Sequence, residues 1–461
     1  MHLPNRTRRA IAGLLACTAC AAGLVSCTAS PGSGDQAGTA DAPDPGTPLQ
    51  RPDDRVPTTT GLPVTTTSAV GPAPEPTTVP DPTTVPPDES GTTTTLPADP
   101  TIPPPEPDNL RTSASGSPIQ LIWGYKPPTD GTPLSTLSSH YSSFVLTRDD
   151  EPYRDQLVAL GAPAPLMYIR FDAVLRPQVG RPPLKNNVAD SPGDVDTLLS
   201  AHPGWFLRDG SGNPIIDHDM GGYDAYIMDP GNSGWREHWI AQVKARYNAE
   251  GWHGGIFLDN VELSLKKRIR FGATPAAYGT DDAYFTAVSG MLKTLYFNWT
   301  KWANLPVIPN TIEATFGDLA KPATVGEWTS GWLEEGFATS WRSDTWRTQA
   351  DWEWQLAKID QAVVAGDRTL LFAQGPRDDS DRQRFALASY LLVSSAGRTF
   401  FRYVDYTAGY KADWWYSNYT SALGAPTSGR YRVGATTWRR DFAHGSVTVD
   451  PTAHTASITV S

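Results

Sequence analysis

The chain has 461 residues, a formal net charge of -11, three cysteines and sixteen tryptophans. The acidic balance argues against nucleic acid and against a basic membrane-surface patch as partners. All three cysteines, Cys17, Cys20 and Cys27, fall near the N-terminus. The remainder therefore has no disulfide and must be held by its hydrophobic core.

Arg6, Arg8 and Arg9 precede the run Ala10 to Val25, rich in Ala, Leu and Gly. The run is too short and too small-residued for a good spanning helix and reads as an export signal. Leu24-Val25-Ser26-Cys27 resembles the lipobox of bacterial lipoproteins, which implies cleavage before Cys27 and its lipidation. An ordinary cleaved signal with an incidental cysteine is the plainer reading of the same residues. Residues 28–116 are mostly Pro, Thr, Asp, Gly and Ser, as in Pro76-Thr77-Thr78-Val79-Pro80. Such a segment cannot bury enough apolar surface to offset chain entropy, so a disordered, extended stalk is expected. The expectation is an exported protein, lipid-anchored to the outer face of the cell membrane and touching the membrane through that anchor alone.

Globular patterning begins at residue 117, and residues 117–425 are expected to form one barrel domain. Apolar runs at Ile119 to Tyr125, Phe144 to Thr147 and Leu166 to Phe171 alternate with helical stretches such as Tyr153 to Leu160. That rhythm predicts a parallel sheet. The segment Asp194 to Asp229 is longer than a simple connection, which is common where loops carry function. Trp235 to Asn248 reads as a helix with Trp235, Trp239, Ile240 and Val243 on one side. Next comes Gly254-Gly255-Ile256-Phe257-Leu258-Asp259-Asn260-Val261-Glu262, an apolar run delivering a carboxylate at its end.

Beyond it the pattern predicts a helix over Asp281 to Trp302, a strand over Val307 to Asn310 and a sixth strand within Val325 to Glu335. A helix over Gln349 to Val364, a strand over Thr369 to Gln374, a helix over Asp381 to Ser395 and a strand over Thr399 to Tyr403 complete it. Eight strands is the number a closed (β/α)8 TIM barrel needs, and such barrels keep their chemistry at the C-terminal strand ends. In residues 426–461 the period changes: Ser446 to Val449 and Ala456 to Val460 alternate around Asp450-Pro451-Thr452. A small antiparallel sheet is expected there.

Glycosidic bond hydrolysis usually takes two carboxyl groups. Asp259 is one candidate; an acid at this place can also cap the next helix, but its position at the functional end of the expected barrel favours catalysis. Glu334 and Glu335 are candidates for the other. Successive strand residues face opposite ways, so one of them should face the site, and Glu335 is favoured because Gly336 lets the chain turn over the rim. Asn260, Glu262, Asn310 and Glu313 could line the mouth. Trp123, Tyr125, Arg170, Asp172 and Asp229 could bind sugar hydroxyls or stack on rings, and Trp328 and Trp332 are further platforms, although core packing is the usual fate of tryptophan. No nucleophile elbow, phosphate loop or H-E-x-x-H motif is present. Only Asp217-His218-Asp219 hints at a metal, with no second histidine at ligand spacing.

At these residues the chain resembles the glycosyl-hydrolase-like TIM-barrel families of bacteria, many of them uncharacterised. The resemblance rests on Gly254 to Asn260, on Glu334-Glu335-Gly336-Phe337, on Asp229-Pro230 and on Arg440 to Val447, the last similar to the closing sheet of many glycosidases. The tail differs in carrying Asp450 where such sheets often carry Asn before Pro. The resemblance implies Asp259 as nucleophile or base and Glu335 as acid. The expected protein is thus a monomeric extracytoplasmic glycoside hydrolase acting on a polysaccharide or oligosaccharide without metal or cofactor. Its rivals are a non-catalytic carbohydrate-binding surface lipoprotein with a degenerate barrel and, further off, a metal-dependent deacetylase using His218.

Overall fold

The computed structural model describes residues 117–218, 221–266, 274–299, 305–312, 319–340, 345–405 and 409–461. The leader, Cys27, the Pro/Thr-rich segment, Asp219 and Glu313 lie outside the described residues. The chain runs β1 (Ile122–Tyr125), α1 (Leu134–His140), β2 (Ser143–Leu146), α2 (Glu151–Ala159), β3 (Leu166–Arg170), β4 (Ala173–Pro177), α3 (Asp194–Ala201), β5 (Ile216–Asp217), β6 (Tyr223–Ile227) and α4 (Ser233–Ala249). It continues through β7 (Ile256–Glu262), α5 (Asp281–Asn298), β8 (Val307–Ile312), α6 (Ala320–Trp328), β9 (Gly331–Glu335), α7 (Gln349–Ala365), β10 (Arg368–Gln374), α8 (Ser380–Val393) and β11 (Thr399–Val404). It closes with β12 (Tyr431–Arg432), β13 (Trp438–Phe442), β14 (Gly445–Asp450) and β15 (Thr455–Val460).

Eight strands form one parallel sheet in the order β1-β2-β3-β7-β8-β9-β10-β11. A parallel bridge between Leu121 and Phe401 joins the two ends, and the Phe401 N–H donates to the Gln120 carbonyl at 2.8 Å. The result is a (β/α)8 barrel. Each barrel strand gives at least one side chain to an inner cluster that includes Ile122, Val145, Leu166, Phe257, Ile308, Leu333, Leu370 and Phe400. The larger cluster lies between strands and helices and includes Trp235, Trp239, Ile240 and Val243 of α4. Burying these two layers is the main source of stability.

Local chemistry explains the boundaries. The Asn232 side chain accepts from the Trp235 N–H at 3.0 Å and starts α4, and Thr280, Thr348 and Asp379 cap α5, α7 and α8 in the same way. Before β7, a Cβ on Gly254 would collide with the backbone of Ala164 and Pro165, and one on Gly255 with Pro306. The paired glycines therefore let β7 slot between its neighbours.

Three features depart from the sequence expectation. The segment after β3 is not a plain loop: β4, β6 and β5 make a three-stranded antiparallel sheet, with α3 between β4 and β5. Val325 to Trp328 belong to α6, and the sixth barrel strand is only Gly331–Glu335. A short helix, α1, occupies a Ser-rich stretch with little apolar periodicity. The tail strands β12 to β15 form a separate antiparallel sheet, and the Asp450 carboxylate accepts from the N–H groups of Thr452 and Ala453, both at 2.9 Å, to shape its last turn. Among the described residues no helix is long and apolar enough to cross a membrane.

Candidate active site

Along β7, Phe257 joins the inner cluster and Leu258 the outer one, so the strand period returns Asp259 to the interior. There the register with β8 slips. Leu258 pairs with Pro309 but Val261 with Thr311, so β7 advances three residues while β8 advances two. Asn260, at φ 60°, absorbs the extra residue in the left-handed conformation that Asn tolerates well. A bulge of this kind re-aims the side chain beside it.

Asp259 is half-buried and accepts three hydrogen bonds. The Tyr168 hydroxyl and the Asn260 amide, the latter at 3.1 Å, donate to Oδ2; the Asn310 amide donates to Oδ1 at 3.1 Å. The same Asn310 nitrogen donates to Glu335 Oε2 at 3.3 Å. Glu335 Oε1 accepts from the Tyr410 hydroxyl at 2.7 Å. One buried amide on β8 thus joins a carboxyl on β7 to a carboxyl on β9. Its NH2 must face them, since its carbonyl oxygen would repel both.

Three phenols surround the pair. Burial, and then the charge of Asp259, push the Tyr168 hydroxyl well above its ordinary pKa; burial and then Glu335 do the same to Tyr410. Tyr125, fully buried, is pushed up by burial, then by Glu335 and Asp259, and its ring lies 5.6 Å from that of Tyr168 and 5.2 Å from that of Tyr410. All three remain protonated at neutral pH, and Tyr168 and Tyr410 donate to the carboxyls. At the end of β3, buried Arg170 pairs with buried Asp172 at 2.8 Å. Burial works against the Arg170 charge, but Asp172 and then Asp259 outweigh it and hold its pKa above the ordinary value.

Glu334 faces the other way. It is sealed between β9 and α7, 2.8 Å from Lys358 Nζ, and accepts from Gln355 Nε2 at 3.1 Å. Gly336, at φ 86°, turns the chain immediately after Glu335. Glu262 is buried at the end of β7, opposite Ile312.

The structure places other sequence candidates away from this group. Trp123 lies in the layer between strands and helices, its indole N–H on the Lys126 carbonyl at 2.8 Å and the Arg402 guanidinium 4.2 Å over its ring. Trp332 is buried, with Lys358 Nζ 5.4 Å from its ring. Trp328 ends α6, before β9 begins, and packs on Tyr296 and Phe297. Asp229 is bound by the Tyr278 hydroxyl and by the Gly231 N–H at 2.8 Å, which makes it a turn former ahead of α4. Exposed His218 lies 3.1 Å from Asp224 Oδ1. Among the described residues no group of three or more His, Cys, Asp or Glu is arranged to hold a metal ion.

Tyr168 and Tyr410 went unremarked in the sequence. Tyr168 stands two residues before Arg170 on one strand face, a spacing that could have exposed it. Nothing marks Tyr410, which lies in a single 3-10 turn, Gly409–Lys411, after β11.

Among solved structures, the chain is similar to the glycoside hydrolase domain of PelA from Pseudomonas aeruginosa, at 15% identity over 64% of this chain and 96% of that one, with a TM-score of 0.41. It is similar to TtGalA, an alpha-galactosidase from Thermus thermophilus, at 15% identity over 75% and 68% of the two chains, with a TM-score of 0.39. An alpha-amylase from Lactobacillus plantarum is 10% identical over 73% and 88%, with a TM-score of 0.36. No curated protein matches the sequence. The model of a family described as hypothetical glycosyl hydrolase family 15 matches residues 181–446, a span that takes in Asp259, Asn310, Glu335 and Tyr410. That span is more than half of the 461 residues, and the chain belongs to hypothetical glycosyl hydrolase family 15.

Proposed function

We propose that this protein is an extracytoplasmic glycoside hydrolase that cleaves polysaccharide or oligosaccharide by double displacement, with retention at the anomeric carbon. The observation that carries the reading is the Asn310 amide nitrogen, 3.1 Å from Asp259 Oδ1 and 3.3 Å from Glu335 Oε2. Oxygens bonded to one nitrogen at those distances lie no more than about 6.4 Å apart, which keeps the two carboxyls close. Retaining glycosidases hold their carboxyl groups about 5–5.5 Å apart, whereas inverting ones leave about 6.5–9.5 Å for a water.

Asp259, oriented by three hydrogen-bond donors, is the nucleophile. Its carboxylate attacks the anomeric carbon as the glycosidic C–O bond breaks, and Glu335 gives its proton to the departing oxygen. Glu335 then takes a proton from water, whose oxygen displaces Asp259 and frees the sugar. Asn310 spans both carboxyls throughout and fixes their separation, while Tyr168 and Tyr410 orient one each.

The leader and the Leu24-Val25-Ser26-Cys27 motif support export and lipidation at Cys27. The test is sugar release from a panel of bacterial wall and capsular polysaccharides by the full chain beside Asp259→Asn, with the product anomer followed by NMR. Release with retained configuration, abolished by the substitution, is expected. Binding without release by either protein would instead establish a non-catalytic carbohydrate-binding barrel.

A further inference from the structure

A cavity of about 530 Å3 lies among α7, the end of α8 and the C-terminal sheet. Its wall includes Ser394 and Ala396, which immediately precede β11, so it lies toward the N-terminal ends of the strands and away from Asp259 and Glu335. A sugar held between those two carboxyls does not reach it.

The charge around this cavity is unusual for a chain carrying -11 overall. Arg430, Arg432, Arg439 and Arg440 crowd one stretch. Three are matched by a carboxylate: Arg430 by Asp360 through Nη1 at 2.6 Å and Nη2 at 2.5 Å, Arg432 by Glu353 at 2.6 Å, and Arg439 by Asp441 at 2.8 Å. Arg440 forms no ion pair among the described residues. Its Nε donates to the Ser428 carbonyl at 3.0 Å and its Nη1 to the Leu391 and Ser394 carbonyls at 3.0 and 2.9 Å; Nη2 has no partner there. Arg430 keeps its Nε buried and without a hydrogen bond. Arg430 and Arg440 both line the cavity, and Trp438 supplies an apolar part of the same wall.

Unmatched charge on a partly buried guanidinium is costly, and a ligand bringing one negative charge would offset it. Burial, followed by the opposing pull of Asp360 and the repulsion of Arg430, leaves the Arg440 pKa below its ordinary value, as expected of a guanidinium short of a counter-charge. One unmatched guanidinium calls for a monoanion rather than a phosphate dianion, and about 530 Å3 is ample for a sugar ring.

We propose that this cavity is a second, non-catalytic carbohydrate site that binds a uronic acid unit, its carboxylate held by the Arg440 guanidinium. The sugar part of the inference rests on the glycosidase reading; the single negative charge does not. The site would hold an acidic polymer on the far side of the barrel from the cleavage site.

The test is calorimetric titration of the full chain, in an Asp259→Asn background to prevent cleavage, with tetragalacturonate, its methyl ester and inorganic phosphate. Tetragalacturonate is expected to bind at least about tenfold tighter than the uncharged ester, and phosphate not to compete. Arg440→Gln should weaken binding by about tenfold or more. Ala396→Trp, which fills the cavity from an exposed position, should do the same if Arg440→Gln fails to fold. Equal binding of acid and ester, or unchanged binding in both variants, overturns the proposal, and effective competition by phosphate overturns the monocarboxylate assignment. Carboxylate-dependent binding without turnover of any polysaccharide by the wild type would sink the hydrolase reading alone. Turnover without such binding would sink this one alone.

Discussion

Glu334 Oε2 lies 2.8 Å from Lys358 Nζ, with both side chains almost wholly buried between β9 and α7. Lys358 also lies 5.4 Å from the rings of Trp332 and Trp354, and Gln355 closes the other oxygen of Glu334. Because neighbouring strand residues face opposite ways, tying Glu334 to α7 commits Glu335 to the interior. Lys358→Met strands a buried carboxylate and should cost about 3–5 kcal/mol in denaturant unfolding. The double replacement Glu334→Leu with Lys358→Met should recover most of that loss. A single variant as stable as wild type would show that the pair fixes nothing.

In the proposed mechanism Glu335→Gln removes the proton donor and leaves the shape. On ordinary glycosides kcat should fall about 10²–10⁴-fold. Aryl glycosides with acidic leaving groups need little protonation, so the first step on them should be nearly spared and a burst of released phenol should appear in stopped-flow traces. An equal loss on both substrate types would remove Glu335 from the acid role.

Asn310→Ala takes away the donor shared by Asp259 and Glu335. We expect kcat to drop by about 10²–10³-fold, by analogy with loss of one preorganised donor, with little change in KM. Asn310→Asp, which sets a third carboxyl between the first two, should be worse than Ala. Kinetics of the two variants side by side, checked against their melting temperatures, separates this from misfolding.

Asp367, between α7 and β10, gives the fold a pH dependence separate from catalysis. Burial raises its pKa to about 7, with Arg398 pulling the other way. Folding therefore favours the protonated acid: this contribution is complete below the unfolded value of about 4 and is lost as pH rises through about 7. Asp367→Asn keeps the neutral form at every pH. Its melting temperature should match wild type at about pH 4 and exceed it increasingly up to pH 8, by an amount corresponding there to about 3–4 kcal/mol. Parallel melting curves at both pH values would refute the assignment.

Much of this arrangement is legible in the sequence because it follows from strand geometry. The Gly254-Gly255 opening and the apolar run after it mark β7 because only a strand squeezed between neighbours needs both. The alternation of Glu334 and Glu335 follows from a period of two. What was not legible depends on contacts across the barrel. That Asn310 would stand between Asp259 and Glu335 depends on the register of three strands, and the slip between Leu258 and Val261 changes that register without any compositional sign. Tyr168 hides inside an apolar run, and Tyr410 reaches Glu335 from a short 3-10 turn after β11. The tryptophans misled for a physical reason: an indole is as good a core filler as a sugar platform, and Trp123 and Trp332 fill core. The β4-β6-β5 sheet escaped notice because Ala173 to Leu175 continues the apolar run of β3 and Asp194 to Asp229 has little strand alternation.

All eight barrel strands run the same way, and β1 is the first of them. The polypeptide therefore joins the barrel at the end opposite the one that bears Asp259 and Glu335. The stretch that leads from Ser117 into β1 is thus kept clear of the rim that bears the two carboxyls, which leaves that rim bordered by the loops that follow the strands.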